Sequence, residues 1–232
     1  MRTIGLLHGM SSVATVDYYR RINDRVNELR GGHERAELVL SSVNFGVIER
    51  CVRAEAWDEA GQYLAGKARG LQRAGADFIA CGSNTMHRVA PVIEAAITVP
   101  FLHIAAVVAT TSTDIGVTRL GLLGTAPTME QDFYRRRLER AGFTVLPPEP
   151  VDRTTVDQII FDELTRHVFR PESRETYIRV MTDLHAAGAE AIVLGCTEII
   201  LLVGPDDVPG LPLLDSTTLH VEAIVQTAMS RG

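Results

Sequence analysis

The chain has 232 residues, a net charge of −6, 46% apolar and 22% charged residues. This ordinary globular usage excludes disorder and collagen-like architecture, and the acidic balance argues against a nucleic-acid partner, which would need a basic face. No apolar run approaches the roughly 20 residues of a membrane span, and the N-terminal stretch lacks the long apolar region of a signal peptide, so a cytoplasmic protein without a membrane partner is expected.

Short apolar or β-branched runs alternate with amphipathic stretches of helical period. A strand is predicted over Thr3–Leu7, a helix over Val13–Leu29 and a strand over Glu37–Val43. A helix over Trp57–Ala74, a strand over Phe78–Cys81, a helix over Arg88–Ala96 and a strand over Phe101–Ile104 follow. The second half repeats the alternation, with strands over Arg119–Leu123, Thr144–Leu146, Ala191–Leu194 and Leu211–Leu214. Its helices are predicted over Gln131–Ala141, Arg153–Arg166, Ser173–Ala187 and Thr218–Ser230. Continuous apolar strands separated by helices indicate parallel sheets covered on both faces, the α/β class.

The halves resemble one another. Ala74-Gly-Ala-Asp-Phe-Ile-Ala-Cys-Gly-Ser-Asn-Thr85 aligns with Ala187-Gly-Ala-Glu-Ala-Ile-Val-Leu-Gly-Cys-Thr-Glu198. Thr3–Leu7 aligns with Arg119–Leu123, Tyr18–Arg21 with Phe133–Arg136 and Val99–Leu102 with Leu211–Leu214, all at offsets between 112 and 116 residues. We therefore expect two similar lobes, each a parallel sheet flanked by helices, related by a pseudo-twofold with the active site between them. The first lobe is assigned to residues 1–104 plus 215–232 and the second to 105–214. Ligands of parallel α/β sheets bind beyond the carboxyl ends of the strands. Ser83 and Cys196 occupy equivalent places there, followed by Asn84-Thr85 and Thr197-Glu198.

The three cysteines, Cys51, Cys81 and Cys196, form neither an even framework nor a CxxC pair and are read as thiols. Cys81 reads as a buried core residue. The seven histidines lack ligand spacing, so no metal is expected. No phosphate-binding glycine motif occurs. The sole lysine, Lys67, falls mid-helix, where no Schiff-base cofactor would be held. No cofactor is expected.

The residues resemble the aspartate/glutamate racemase family of cofactor-independent amino acid racemases over nearly the whole chain. The resemblance is carried by Ile4-Gly-Leu-Leu-His-Gly-Met-Ser11, Asp17-Tyr-Tyr19, Asn84-Thr-Met-His87, Gly121-Leu-Leu-Gly-Thr125 with Thr128-Met-Glu130, Gly195-Cys-Thr-Glu198 and Leu214-Asp-Ser-Thr217. It implies an amino-acid substrate, a homodimer and proton transfer at the α-carbon by two opposed cysteines. It assigns Cys196 as principal acid/base, on the face presented by the L-enantiomer. Donors to the substrate carboxylate are expected from Met10, Ser11, Asn84, Thr85, Thr125, Thr128 and Thr197, with Glu198 beside Cys196. Arg50 and Arg170 stand where the family's basic residues meet the substrate side-chain carboxylate.

Two positions depart from the family pattern. Ser83 stands where the first cysteine is usual, and a hydroxyl is a far weaker acid than a thiol. His8 stands where glycine is usual: either its imidazole enters the pocket floor and offers a group titrating near neutrality, or it turns away or only narrows the pocket. Two alternatives to a racemase are a single-cysteine decarboxylase-type lyase and a catalytically impaired amino-diacid binding protein.

Overall fold

The computed structural model describes residues 1–230. They fall into two compact units, Met1–Ile104 together with the segment from His220 onward, and Ala105–Leu219.

The first unit holds β1 (Ile4–His8), α1 (Ser12–Arg30), β2 (Leu38–Ser42), α2 (Phe45–Arg53), α3 (Trp57–Arg73), β3 (Phe78–Cys81), α4 (Ala90–Glu94) and β4 (Phe101–Leu102). Its four strands are parallel in the order β2-β1-β3-β4. The period of two in a strand sends alternate side chains to opposite faces. Ile4, Leu6, Phe78 and Ala80 face one apolar layer made with Tyr18, Ile22 and Val26. Leu7, Ile79 and Cys81 face the other, made with Ile48, Leu64, Ala68 and Ile93. Every residue of β1 is buried, as a strand covered on both faces requires. The buried residues Ala14, Tyr18, Ile22 and Val26 recur every four positions along α1 and form its inward stripe.

The second unit repeats the plan. It contains most of α5 (Ile104–Asp114), then β5 (Arg119–Gly124), α6 (Ala126–Glu130), α7 (Asp132–Arg140), β6 (Thr144–Leu146), α8 (Pro150–Asp162), α9 (Pro171–Ala186), β7 (Ala191–Gly195) and β8 (Leu213–Asp215). Its sheet is parallel in the order β6-β5-β7-β8, matching the first strand for strand. Leu123, Ile192 and Leu194 pack on Val156, Ile160, Tyr177, Val180 and Leu184 of α8 and α9. The final helix, α10 (Ser216–Met229), starts in this unit, capped by Asp215, whose Oδ2 accepts from the Thr218 amide at 3.0 Å. From His220 onward it completes the first unit, with Val221, Ile224, Val225 and Ala228 in the layer around Tyr18.

The architecture expected from the sequence is present: two four-stranded parallel sheets flanked by helices. The predicted strand Phe101–Ile104 stops at Leu102, because Ile104 already opens α5. The predicted helix Arg88–Ala96 divides into a 3₁₀ turn over Thr85–Val89 and the short α4, with Pro91 in its first turn. Helices α2, α5 and α6 were not expected.

Candidate functional site

In the second unit β5 and β7 are hydrogen-bonded neighbours, and Gly124 registers with Gly195. The residues that follow these paired strand ends are Thr125 and Cys196. Cys196 is buried, as are Thr125, Thr128 and Glu198, while Thr197 is half-buried. The Cys196 thiol donates to Glu198 Oε2 at 3.2 Å, and Thr197 Oγ1 donates to the same oxygen at 2.6 Å. Thr125 and Thr128 hydroxyls lie 3.2 Å apart. The Ala126 amide at the start of α6 donates to Asp157 Oδ1 at 2.6 Å.

The electrostatics follow from this geometry. Burial, then the negative charge of Glu198, pushes the Cys196 thiol well above the ordinary thiol range, while the Glu198 backbone amide opposes the shift. Burial first, then Cys196, and then Asp157, Glu163 and Glu198 raise the pKa of Tyr177 well above the ordinary phenol range. Both burial and the neighbouring carboxylate therefore favour the protonated thiol of Cys196. A cationic group entering beside it would favour the thiolate.

In the first unit β1 and β3 are neighbours, with Leu7 registered on Cys81. The Gly82 amide extends this pairing by donating to the Leu7 carbonyl at 3.0 Å. The loop after β1 turns at Gly9, whose φ of +105° and an approach that would bring a Cβ within 2.4 Å of the Val43 amide exclude any side chain. Met10 and Ser11 follow, both buried, and Ser11 Oγ caps α1 by accepting from the Ala14 amide at 3.2 Å. After β3, Ser83 is half-buried and its Oγ accepts from the Met86 amide at 3.4 Å. Asn84 is buried and Thr85 half-buried, at the entry to the 3₁₀ turn.

His8 settles between the two readings left open by the sequence. Its ring is wholly buried, lies against Gly82 and meets the Tyr18 ring edge-on at 4.8 Å. Burial lowers its pKa to about 3, so it does not titrate near neutrality, and that reading is corrected. The ring fills the space over Gly82, and burial disfavours its charged form. Cys81 is a core residue: burial pushes its thiol up to about 12, against a smaller opposing effect of the Ser83 backbone.

Both candidate arginines are exposed. Arg50 is exposed on α2 and makes no ion pair among the described residues. Arg170 is exposed at the entry to α9, with Nε 3.8 Å from Glu163 Oε1, so its charge is shared with a carboxylate. Sequence reasoning missed Asp157 and Tyr177. The available sign for Asp157 was a lone acid beside the buried Val156 and Ile160 in α8. Among the described residues no group of three or more His, Cys, Asp or Glu side chains is arranged to hold a metal ion.

The model of the Asp/Glu/Hydantoin racemase family matches residues 7–224. The chain belongs to the Asp/Glu/Hydantoin racemase family. It is an isomerase of the racemase type. A relative from Bacillus subtilis (strain 168), the broad specificity amino-acid racemase RacX, is 23% identical over 234 residues, covering 98% of each chain. Among solved structures, a candidate Asp/Glu racemase from Yersinia pestis is 42% identical with a TM-score of 0.93, over 99% of this chain and 100% of that one. An aspartate racemase homologue from Pyrococcus horikoshii OT3 is 30% identical with a TM-score of 0.84, again over 99% of this chain and 100% of that one. The high TM-scores over nearly the whole chain show that these structures share its fold. No helix among the described residues is long and apolar enough to cross a membrane.

Proposed function

We propose that this racemase interconverts the enantiomers of an acidic amino acid, aspartate or glutamate, by removing and returning the α-proton without an organic cofactor. Cys196 is the principal acid/base and Ser83 the second proton-handling group. The observation that carries the reading is the Cys196 thiol bonded to Glu198 Oε2 at 3.2 Å, just past the end of β7. The carboxylate accepts the thiol hydrogen bond and orients the sulfur, and the thiolate formed as pH rises can take the α-proton. Thr197 holds the carboxylate from the other side. Met10, Ser11, Asn84, Thr85, Thr125 and Thr128 are proposed to meet the amino-acid backbone of the substrate. Arg50 and Arg170 are proposed to meet its side-chain carboxylate.

Inversion requires proton removal on one face of the α-carbon and delivery on the other. A thiol handles both steps, whereas a serine hydroxyl delivers or relays a proton far better than it removes one. The expected result is faster α-proton exchange from L- than from D-substrate in heavy water, followed by mass spectrometry after chiral separation. Equal rates for the two enantiomers would refute the asymmetry.

The pH profile carries a second expectation. Because the Cys196 pKa is raised, the thiolate fraction grows with pH throughout the working range. The kcat/KM for L-substrate exchange should climb from about pH 6 to about pH 9 without levelling, since an unperturbed thiol ionises only near 8.5. Glu198→Gln removes the nearby negative charge, lowers the thiol pKa and should move the plateau to lower pH. Superimposable profiles for the two proteins would show that Glu198 does not set the ionisation of Cys196.

A further inference from the structure

We infer that His8 and His87 are positioning residues for Ser83: one imidazole closes the space over Gly82, the other ties down the Ser83 carbonyl, and together they aim the hydroxyl. The inference rests on the proposed role of Ser83 as second proton-handling group.

Four observations support it. First, a Cβ built on Gly82 would lie 2.0 Å from His8 Cδ2 and 2.2 Å from Nε2, so the ring fills the volume directly above the residue preceding Ser83. Second, the plane of that ring is fixed, because His8 Nδ1 lies 2.9 Å from Thr15 Oγ1 and the Tyr18 ring closes one side. Tyr18 is held in turn by His220, through Oη to Nδ1 at 3.2 Å. Third, His8 Nε2 is buried with no hydrogen-bond partner among the described residues. An unpaired buried nitrogen costs stability that an apolar side chain of similar size would not. A flat imidazole can lie on a glycine, and its second nitrogen sets the ring plane.

Fourth, His87 holds the next residue. Its Nδ1 donates to the Ser83 carbonyl at 2.7 Å, and its Nε2 accepts from the Ile104 amide at 3.1 Å. One neutral tautomer satisfies both bonds. The backbone on either side of the Ser83 α-carbon is therefore held, by ring contact at Gly82 and by a hydrogen bond at the Ser83 carbonyl. Neither imidazole has to touch substrate for this to matter, because a proton donor displaced by about 1 Å loses much of its effect.

The test uses L-aspartate and L-glutamate in heavy water with chiral separation and mass spectrometry. Labelled L-product reports proton return to the face from which the proton left, and labelled D-product reports delivery to the opposite face. Their ratio isolates the Ser83 step, and a merely structural defect lowers both products together. We expect His8→Ala and Gly82→Ala each to lower the D-to-L label ratio at least tenfold, with total labelling within threefold of the parent protein. The double variant His8→Ala/Gly82→Ala should recover the ratio to within threefold, because the new methyl group takes space the ring has left. His87→Leu should lower the ratio tenfold. His87→Asn, whose amide nitrogen stands in for Nδ1, should keep it. If single variants at His8 or Gly82 fail to fold, the double variant and the two His87 variants decide the matter. Unchanged ratios in folded His8→Ala and His87→Leu, or parallel loss of both labelled products, overturn the positioning role. Ser83→Ala separates the two levels: an unchanged ratio there overturns the role of Ser83 and the inference with it. A lost ratio there, with His8 and His87 variants unchanged, overturns the positioning alone.

Discussion

Replacing Cys196 by alanine should abolish α-proton exchange from both enantiomers, with a loss of at least about a thousandfold, or about 4 kcal/mol of transition-state stabilisation. The residue is buried and belongs to the apolar layer that contains Leu194 and Ile199, so the variant also gives up some packing. Loss of one small side-chain atom costs about 1 kcal/mol, too little to unfold a unit of this size. Circular dichroism and thermal unfolding would verify the fold alongside the label-exchange assay. Cys81→Ala is the matched control. It removes a thiol of equal size from the layer around Leu7 and Ile79, and it should lower stability by a similar amount while leaving exchange nearly unchanged. A folded but inactive Cys81→Ala protein, together with an active Cys196→Ala protein, would mean that the wrong thiol has been assigned.

Ser83→Cys should act in the opposite sense. A thiol is many orders of magnitude more acidic than an alcohol, so it both delivers and removes protons near neutrality. We expect exchange from D-substrate to rise at least tenfold and the L-to-D rate ratio to fall towards one. The position tolerates the change, since Ser83 is half-buried and its Oγ accepts only the long 3.4 Å bond from the Met86 amide. An unchanged D-rate in a folded Ser83→Cys protein would show that this hydroxyl does not face the reacting carbon.

Much of the fold was legible because parallel strands buried on both faces must be continuously apolar. Phe78–Cys81 and Thr144–Leu146 were delimited to the residue. The helices that escaped did so for local reasons. In α5 the run Ile104-Ala-Ala-Val-Val-Ala-Thr-Thr is apolar and β-branched, which reads as a prolonged strand after Phe101. In α2 only nine residues carry the pattern, with Ile48 and Cys51 as its buried positions, too few for a helical period to stand out. Helix α6 has five residues, and Pro127 at its start reads as a turn.

The hydrogen-bonded cluster of the second unit could be read because Cys196, Thr197 and Glu198 are consecutive, and three adjacent residues at a strand end necessarily share a neighbourhood. The His8 ring could not be placed in the same way. Whether it points to a ligand or onto a glycine depends on Gly82, which is remote in sequence and joins it only through the pairing of β1 with β3. The neighbouring histidines, His87, His103 and His220, come from three separate segments and share no spacing. His220 takes Tyr18 and the Leu102 carbonyl as partners.

The division of the chain has a consequence for biosynthesis. The unit that carries Cys196 is one uninterrupted stretch, Ala105–Leu219, whereas the unit that carries Ser83 needs the segment from His220 onward. On the ribosome the middle of the polypeptide can therefore finish folding while the earlier part waits. Until α10 emerges, Ile4, Leu6, Tyr18 and Ile22 lack the cover supplied by Val221, Ile224, Val225 and Ala228, and the Arg2 amide lacks the Ala228 carbonyl it meets at 2.8 Å. A nascent chain stalled before that helix would expose a greasy sheet face to chaperones and proteases. The apolar layer of the first unit is thus complete only once α10 has been made.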